Sequence, residues 1–130
     1  MNRSNDAENA MKKRIVFLDD DVNFLNGIKR VLMGRCEWDI MTFSEVDGMF
    51  RQLENGGADV VISDYRMPGT NGLSILGRIK DEYPSVRRIL LSGQATNEVY
   101  NEASVIAERY LEKPCEADVI IQVIRELAGE

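Results

Sequence analysis

Histidine is absent from the 130-residue sequence, and this absence excludes several kinds of chemistry. Without an imidazole, the chain cannot form a Ser-His-Asp hydrolase site, a histidine-ligated zinc site or a phosphohistidine of its own. Any reaction at this protein must therefore use the side chains of Asp, Glu, Lys, Ser or Tyr.

Cysteine and long apolar runs are also scarce. The two cysteines, Cys36 and Cys115, are far apart in the sequence and lack the close spacing of a metal site. No signal-peptide hydrophobic region precedes them, so we expect reduced thiols in a cytoplasmic protein. No apolar run approaches the roughly 20 residues that a membrane span needs, so we expect no membrane partner.

Positive charge is in deficit, since 16 Lys and Arg residues face 22 Asp and Glu residues and leave a net charge of −6. This charge repels the phosphate backbone of nucleic acids and favours basic or metal partners, so we expect no direct nucleic acid binding by this chain. With 44% hydrophobic and 29% charged residues, the composition is that of a globular domain.

The length and the residue pattern predict one α/β domain. Residues 1–11 are polar and aperiodic, which predicts a disordered leader and leaves residues 12–130 for the domain. Short apolar runs then alternate with stretches of helical periodicity, as in a parallel sheet with five crossover helices. The five predicted strands are Arg14–Leu18, Trp38–Phe43, Asp59–Ser63, Arg88–Leu91 and Arg109–Glu112. The strand order could be flavodoxin-like, 2-1-3-4-5, or that of a Rossmann-like half.

Three details of the helices are predicted from local signals. Gly34 is expected to end the first helix, and Ser44-Glu45-Val46-Asp47 resembles a capping box that opens the second. The fourth helix, roughly Asn97 to Ala107, has a narrow apolar face, so it should dock less firmly than the others and shift most readily.

Polar and charged residues follow four of the predicted strands. They are Asp19, Asp20 and Asp21 after the first strand, Asp64 after the third, Ser92 after the fourth and Lys113 after the fifth. Either strand order brings these residues to the ligand-binding edge of the sheet. Each close carboxylate pair costs about 4 kcal/mol at 4 Å and an effective dielectric of 20, so a cation and a lysine are the natural neutralisers. An oxygen-only donor set favours Mg²⁺, with Mn²⁺ as the other candidate.

The same set of groups suits phosphoryl transfer. An aspartate can be the nucleophile, and a metal ion removes the repulsion between its carboxylate and the incoming phosphoryl group. Lys113 and Ser92 would then hold the remaining oxygens. Taken singly, these residues have ordinary explanations: Asp21 as a helix N-cap, for example, or Lys113 as a solvated surface lysine.

Four motifs, in order and spacing, resemble the receiver domains of bacterial two-component response regulators over residues 13–128. The motifs are IVFLDDD at residues 15–21, VVISDYRMPGTNG at 60–72, ILLSG at 89–93 and YLEKP at 110–114. The resemblance implies the flavodoxin-like, doubly wound fold with strand order 2-1-3-4-5 and five helices.

The resemblance also implies a phosphoacceptor and a metal site. Asp64 would accept the phosphoryl group. Asp19, Asp20 and Asp64 would bind Mg²⁺ together with the backbone carbonyl of Arg66.

A conformational switch is implied as well. Lys113 would pair with the phosphoryl oxygens, and its bond to Pro114 would be cis. Ser92 would move toward the same oxygens, Tyr110 would swing inward behind it, and the face made by helix 4, strand 5 and helix 5 would change.

The implied donor is the phosphohistidine of a sensor histidine kinase or phosphotransfer protein, since this chain has no histidine. The chain would be a signalling phosphoacceptor and no enzyme in the usual sense, catalysing only its own phosphorylation and dephosphorylation. Output would pass through an unknown partner or a missing effector domain, or through a homodimer formed by the helix 4/strand 5/helix 5 face.

Three positions depart from the family pattern or vary within it. Cys115 stands where many relatives carry a bulky apolar residue. Arg66 and Gln94, two residues past Asp64 and Ser92, occupy positions whose side chains tune how long relatives keep the phosphoryl group.

Two other readings remain open at this point. Asp19-x-Asp21 after a buried strand resembles the nucleophile pair of haloacid-dehalogenase-type phosphohydrolases, although the chain is short for that fold. A receiver-like domain that has lost phosphorylation and acts only as a docking module is the second. A flavin or nucleotide module is disfavoured because no glycine-rich phosphate loop follows the first strand.

Overall fold

The computed structural model describes residues 12–93 and 96–130. The predicted leader at residues 1–11 and the side chain of Gln94 lie outside the described residues. Within the described ranges, the chain forms a five-stranded parallel sheet and five helices. The strands of the sheet are β1 (Arg14–Leu18), β2 (Asp39–Phe43), β3 (Val60–Asp64), β4 (Arg87–Ser92) and β5 (Arg109–Glu112). The helices are α1 (Val22–Arg35), α2 (Val46–Asn55), α3 (Gly72–Glu82), α4 (Asn97–Ile106) and α5 (Ala117–Ala128).

The strand order is β2-β1-β3-β4-β5 with every pair parallel, which confirms the flavodoxin-like prediction. The central strands β1, β3 and β4 are almost continuously apolar because helices cover both of their faces. In register, Leu18 lies beside Ser63, and Asp64 lies beside Leu91. The strands therefore end at a common edge, where the residues that follow them meet.

The core has two halves, one on each face of the sheet. Successive residues of a strand point to opposite faces, so Ile15 and Phe17 pack with α1 and α5. Val16 and Leu18 pack on the other face, against side chains from α2, α3 and α4.

Helix α4 is the least buried helix, as its narrow apolar face predicted. Ala103 is its only buried residue in the described part of the chain, whereas α3 buries five. Its carboxyl-terminal end is nevertheless held, because the Val105 carbonyl accepts a hydrogen bond from Lys80 Nζ at 2.9 Å and the Ile106 carbonyl accepts one from Arg88 Nε at 2.8 Å. Arg88 is 6% exposed and also pairs with Glu108 at 2.9 Å.

Two of the local predictions are wrong. Gly34 lies inside α1, which continues to Arg35. The N-cap of α2 is Glu45, which makes no side-chain capping bond, so Ser44 does not form the predicted capping box. The helix begins one residue later than the box requires, and this places Asp47 at the second helical position instead of the third.

The segment between β3 and α3 contains a short hairpin that the sequence did not predict. Residues Arg66–Met67 pair antiparallel with Thr70–Asn71, and Gly69 takes a φ of 76° in the turn. Asn71 then caps α3, its side chain accepting a hydrogen bond from the Ser74 amide at 2.9 Å. Among the described residues, no helix combines the length and the apolar character that crossing a bilayer requires.

Candidate functional site

Three carboxylates converge at the carboxyl-terminal edge of the sheet. Asp19, Asp20 and Asp64 each offer an oxygen atom, and these atoms all lie within 4.8 Å of one another. Asp19 is 2% exposed, Asp64 is half-buried and Asp20 is open to solvent. Oxygen donors at this spacing, next to solvent that can complete the coordination shell, fit a hard divalent cation such as Mg²⁺.

Asp21 lies outside this cluster and has the capping role that its position suggested. Its side chain accepts a hydrogen bond from the Phe24 amide at 3.1 Å and so caps α1. Its own amide donates to Asp19 Oδ1 at 2.9 Å, which fixes the orientation of that carboxylate.

Lys113 brings one positive charge into the cluster. Its Nζ atom lies 2.6 Å from Asp19 Oδ2 and 3.7 Å from Asp64 Oδ1. The Lys113 amide donates to the Ser92 carbonyl at 2.8 Å, which continues the pairing of β5 with β4 to the edge of the site. The bond between Lys113 and Pro114 is cis, as the resemblance implied.

The electrostatic balance of the site is still negative. Burial raises the pKa of Asp64, and the charge of Asp19 raises it further. Lys113 and the hydrogen bond from the Tyr65 amide lower this pKa, while Asp20 raises it slightly, and the net direction is upward. Three carboxylates beside one ammonium group leave an excess of negative charge, which a bound cation would balance.

A cavity of about 430 Å³ opens directly above Asp64. Its lining comprises Asp64, Arg66, Ser92, Gly93 and Lys113. Asp64 thus lines a space large enough for a phosphoryl group. A larger cavity of about 900 Å³, which includes Lys12 and Trp38, lies at the opposite edge and contains none of the predicted site residues.

Ser92 and Tyr110, the two predicted switch residues, are neighbours on β4 and β5. Ser92 is 2% exposed. The Tyr110 hydroxyl is buried, and no group in the described part of the chain meets ordinary hydrogen-bond geometry with it. Burial and the charge of Glu112 raise the pKa of Tyr110, and the nearby Ser92 side chain opposes this rise. The Tyr110 ring packs edge-on against Tyr100 of α4, with 5.7 Å between the ring centroids.

Three contacts around Asp64 and Lys113 were missed by the sequence reasoning. Gly72 approaches Asp64 so closely that an added Cβ would lie 2.3 Å from the Asp64 carbonyl oxygen. Ser63 is fully buried and donates a hydrogen bond to the same oxygen at 2.9 Å. The Phe24 ring lies beside the Lys113 ammonium, with 4.4 Å from Nζ to the ring centroid. Gly72 belongs to the VVISDYRMPGTNG motif, whereas Phe24 has only the helical spacing of an apolar residue in α1.

Solved structures and curated sequences resemble this chain over nearly its whole length. A response regulator receiver domain protein from Clostridium thermocellum is 29% identical and superposes with a TM-score of 0.81, covering 90% of this chain and 94% of that one. The response regulator protein TrrA from Thermotoga maritima, solved in complex with Mg²⁺-BeF, is 27% identical with a TM-score of 0.78, covering 88% of this chain and 98% of that one.

The curated relatives are longer proteins. The transcriptional regulatory protein DegU from Brevibacillus brevis is 29% identical over 95% of this chain, which spans 53% of its length. The chain spans between 23% and 33% of the length of three other curated relatives. The family model described as "Response regulator receiver domain" matches residues 15–125. The chain therefore belongs to the receiver domain family of response regulators, which are signalling phosphoacceptors and not enzymes of the usual kind.

Proposed function

We propose that Asp64 accepts a phosphoryl group from the phosphohistidine of a sensor histidine kinase or phosphotransfer protein. The observation that carries this proposal is the arrangement of Asp64, which faces a cavity of about 430 Å³ beside the Lys113 ammonium and shares a cluster with two further carboxylates. In the transfer, an Asp64 carboxylate oxygen bonds to phosphorus, the phosphorus–nitrogen bond of the donor breaks, and the donor imidazole leaves with its electron pair.

The metal site that we propose consists of the Asp19, Asp20 and Asp64 carboxylates and the backbone carbonyl of Arg66. When bound there, Mg²⁺ would offset the repulsion between the Asp64 carboxylate and the phosphoryl oxygens, and Mn²⁺ could serve in its place. The TrrA neighbour, which was solved with Mg²⁺-BeF, supports this choice of ion.

Lys113 and Ser92 are the groups that would hold the phosphoryl oxygens, since both line the same cavity as Asp64. Phosphorylation adds a charge of about −1.5 to −2. A lysine and a hydroxyl can stabilise this charge by donating charge-assisted hydrogen bonds to it. Ser92 would then move toward the phosphoryl group and Tyr110 would follow it. The side chain of Arg66, which is exposed at the rim, would influence how long the acyl phosphate survives.

The phosphohydrolase alternative would make Asp19 the nucleophile, and the geometry disfavours it. One Asp19 oxygen accepts a hydrogen bond from the Asp21 amide, and the other lies 2.6 Å from Lys113. Asp19 is also 2% exposed, and of the clustered carboxylates it is Asp64 that lines the cavity. A nucleophile must reach the phosphorus atom, and the position of Asp64 on the cavity supports it in this role.

Output would leave through the face formed by α4, β5 and α5. This face contains an exposed apolar side chain, Tyr100, which is 58% exposed and packs against Tyr110 of β5, and such a group favours contact with a partner or a second copy. Because the curated relatives are transcription regulators of greater length, an effector domain beyond this chain is one route of output and homodimerisation is another. The domain limits at residues 12 and 130 and the cytoplasmic location stay predictions.

The proposal is tested by incubating the chain with Mg²⁺ and phosphoramidate and mapping the adduct by mass spectrometry. We expect one phosphoryl group on Asp64, and no adduct when the divalent ion is chelated. Asp64→Asn should abolish the adduct. Asp21→Asn is the matched control, because asparagine preserves the helix cap and the residue lies outside the carboxylate cluster.

Two other results of this experiment would support the phosphohydrolase or the docking module instead. An adduct that maps to Asp19 and disappears in Asp19→Asn would establish the phosphohydrolase reading. A folded wild-type chain that binds Mg²⁺ and yet takes no phosphoryl group would establish the docking module and overturn the proposal.

A further inference from the structure

The Lys113 ammonium has an aromatic neighbour in addition to its two carboxylate neighbours. Nζ lies 4.4 Å from the centroid of the Phe24 ring, within the range of a cation–π interaction. Asp19 and Asp64 lie 2.6 Å and 3.7 Å from the same atom. With its side chain 24% exposed, Lys113 is partly withdrawn from water, and this strengthens its attraction to the ring.

The Phe24 ring is held in place from two sides. Its backbone belongs to the first turn of α1, where the amide donates to the capping carboxylate of Asp21 at 3.1 Å. Its side chain is half-buried against the half of the core that lies between the sheet, α1 and α5. The Phe24 ring therefore has a fixed position, and the flexible Lys113 side chain contacts it.

We propose that Phe24 is a positioning residue for phosphorylation, whose ring keeps the Lys113 ammonium at the site by a cation–π interaction. The inference rests on the proposed role of Lys113 toward the phosphoryl oxygens. The ring face is a neutral partner, so it attracts the ammonium without adding a negative charge that would repel the phosphoryl group.

This neutrality matters because the carboxylate partner of Lys113 is also a proposed metal ligand. Once the Asp19 carboxylate coordinates a cation, its attraction for Lys113 weakens, and the freed ammonium would gain rotational freedom. The Phe24 ring does not coordinate the cation, so it continues to limit that freedom. The ammonium then remains within reach of the cavity above Asp64.

The electrostatic part of this role is tested by replacing Phe24 with mono-, di- and trifluorophenylalanine. Fluorination removes the negative potential of the ring face with little change in shape, so a packing role alone predicts no trend. We expect the rate of Asp64 phosphorylation by phosphoramidate with Mg²⁺ to fall stepwise, reaching about three- to tenfold for the trifluoro ring. Phe24→Trp should keep the rate near that of the wild type.

The matched control is Phe50, whose ring carries Arg78 at 3.8 Å but lies away from the site. Fluorination of Phe50 should leave the phosphorylation rate unchanged. A flat series at Phe24, with wild-type Asp64 still phosphorylated, would overturn the inference and leave the proposed function intact. Wild-type protein that takes no phosphoryl group would overturn the proposed function first.

A second measurement does not depend on activity. Protons on the ε-carbon of Lys113 that lie over a ring face experience a ring current, so their NMR signal should be shifted upfield in the wild type. Phe24→Leu keeps an apolar side chain at this position, and it should return the signal to the normal lysine range. A normal position in the folded wild type would contradict the contact itself.

Discussion

The Lys113 ammonium is hydrogen-bonded to Asp19, at 2.6 Å from its Oδ2 atom. The proposed phosphoacceptor Asp64 is farther from this ammonium, at 3.7 Å, so the lysine lies between the two carboxylates and is closer to Asp19. A phosphoryl group on Asp64 would bring new anionic oxygens into the adjoining cavity and compete for the ammonium. The Lys113 ammonium is thus already held beside Asp64, where the phosphoryl oxygens would bind.

Asp64→Asn should raise the thermal midpoint of the protein at neutral pH without metal. The pKa of Asp64 is raised in the folded state above its ordinary value of 3.8, so the ionised carboxylate costs stability once the pH exceeds the folded-state pKa. The gain from the substitution should therefore shrink as the pH falls through that pKa and vanish below the unfolded-state pKa. Differential scanning fluorimetry across pH 3 to 8 measures both trends, within the range where the fold survives.

Asp39→Asn is the control for this series, because Asp39 is exposed at the start of β2 on the opposite edge of the sheet. It should shift the midpoint little at any pH. If Asp64→Asn instead destabilised the protein at pH 7, the balance of charges assigned to the site would be wrong. Mg²⁺ should stabilise the wild type and have a smaller effect on Asp64→Asn, because one ligand is lost.

Gly72→Ala should destabilise the protein and disturb the phosphoacceptor. An added Cβ would lie 2.3 Å from the Asp64 carbonyl oxygen and 2.9 Å from a Leu90 methyl group, so β3 and α3 would have to separate. We expect a loss of about 1–3 kcal/mol in urea unfolding, the usual cost of overpacking, and slower phosphorylation. Gly27→Ala is the contrasting variant in α1, where nothing lies within 4 Å, and it should gain about 0.5–1 kcal/mol. Equal effects of the two variants would contradict the close approach.

Arg88→Ala should cost about 2–3 kcal/mol, because it removes the buried partner of the Glu108 carboxylate and orphans the Ile106 carbonyl, while Glu108 keeps the Arg88 amide at 2.8 Å. Replacing Arg88 with Met and Glu108 with Leu together should recover part of this loss, because it removes the charge of Glu108 while the Ile106 carbonyl still lacks its donor. Glu126→Ala removes an exposed ion pair with Arg109 at 3.5 Å and should change stability by less than about 1 kcal/mol. Urea titrations compare the three proteins, and similar losses in all of them would refute the special role of the buried pair.

Cys115 should react slowly with iodoacetamide at pH 7.5. Burial raises the pKa of this thiol above its ordinary value of 9.0, and the charge of Glu116 adds to the rise, so little thiolate is present. Unfolding in urea should speed the alkylation because it removes the burial, which is the larger cause of the raised pKa. Peptide mapping by mass spectrometry follows Cys115 specifically, and equal rates in folded and unfolded protein would contradict the shift.

The sequence predicts the strands and the residues at their ends because both depend on local pattern. A buried parallel strand needs an apolar run, and the residue after it reaches the ligand-binding edge in any α/β sheet. Asp64, Ser92 and Lys113 could therefore be placed near one another before any coordinates, and the strand order followed from the resemblance.

The contacts that local pattern cannot predict depend on distances between elements. Phe24 has the periodicity of an ordinary core residue, and only the approach of α1 to the segment between β5 and α5 shows that its ring meets Lys113. The tight approach of Gly72 depends in the same way on where α3 meets β3. The end of a helix is decided by competing caps of nearly equal energy, which is why the predictions at Gly34 and Ser44 were wrong.

The unequal attachment of α4 determines how the output face can respond. Hydrogen bonds from Lys80 and Arg88 hold its final turn, whereas its first turn has the Thr96 cap, which accepts from the Val99 amide at 3.2 Å, and the edge-on contact of Tyr100 with Tyr110. A ten-residue helix is about 15 Å long, so any tilt about its final turn would move α4 as a nearly rigid rod. The pivot lies far from Ser92, and a small tilt therefore displaces Tyr100 more than Val105.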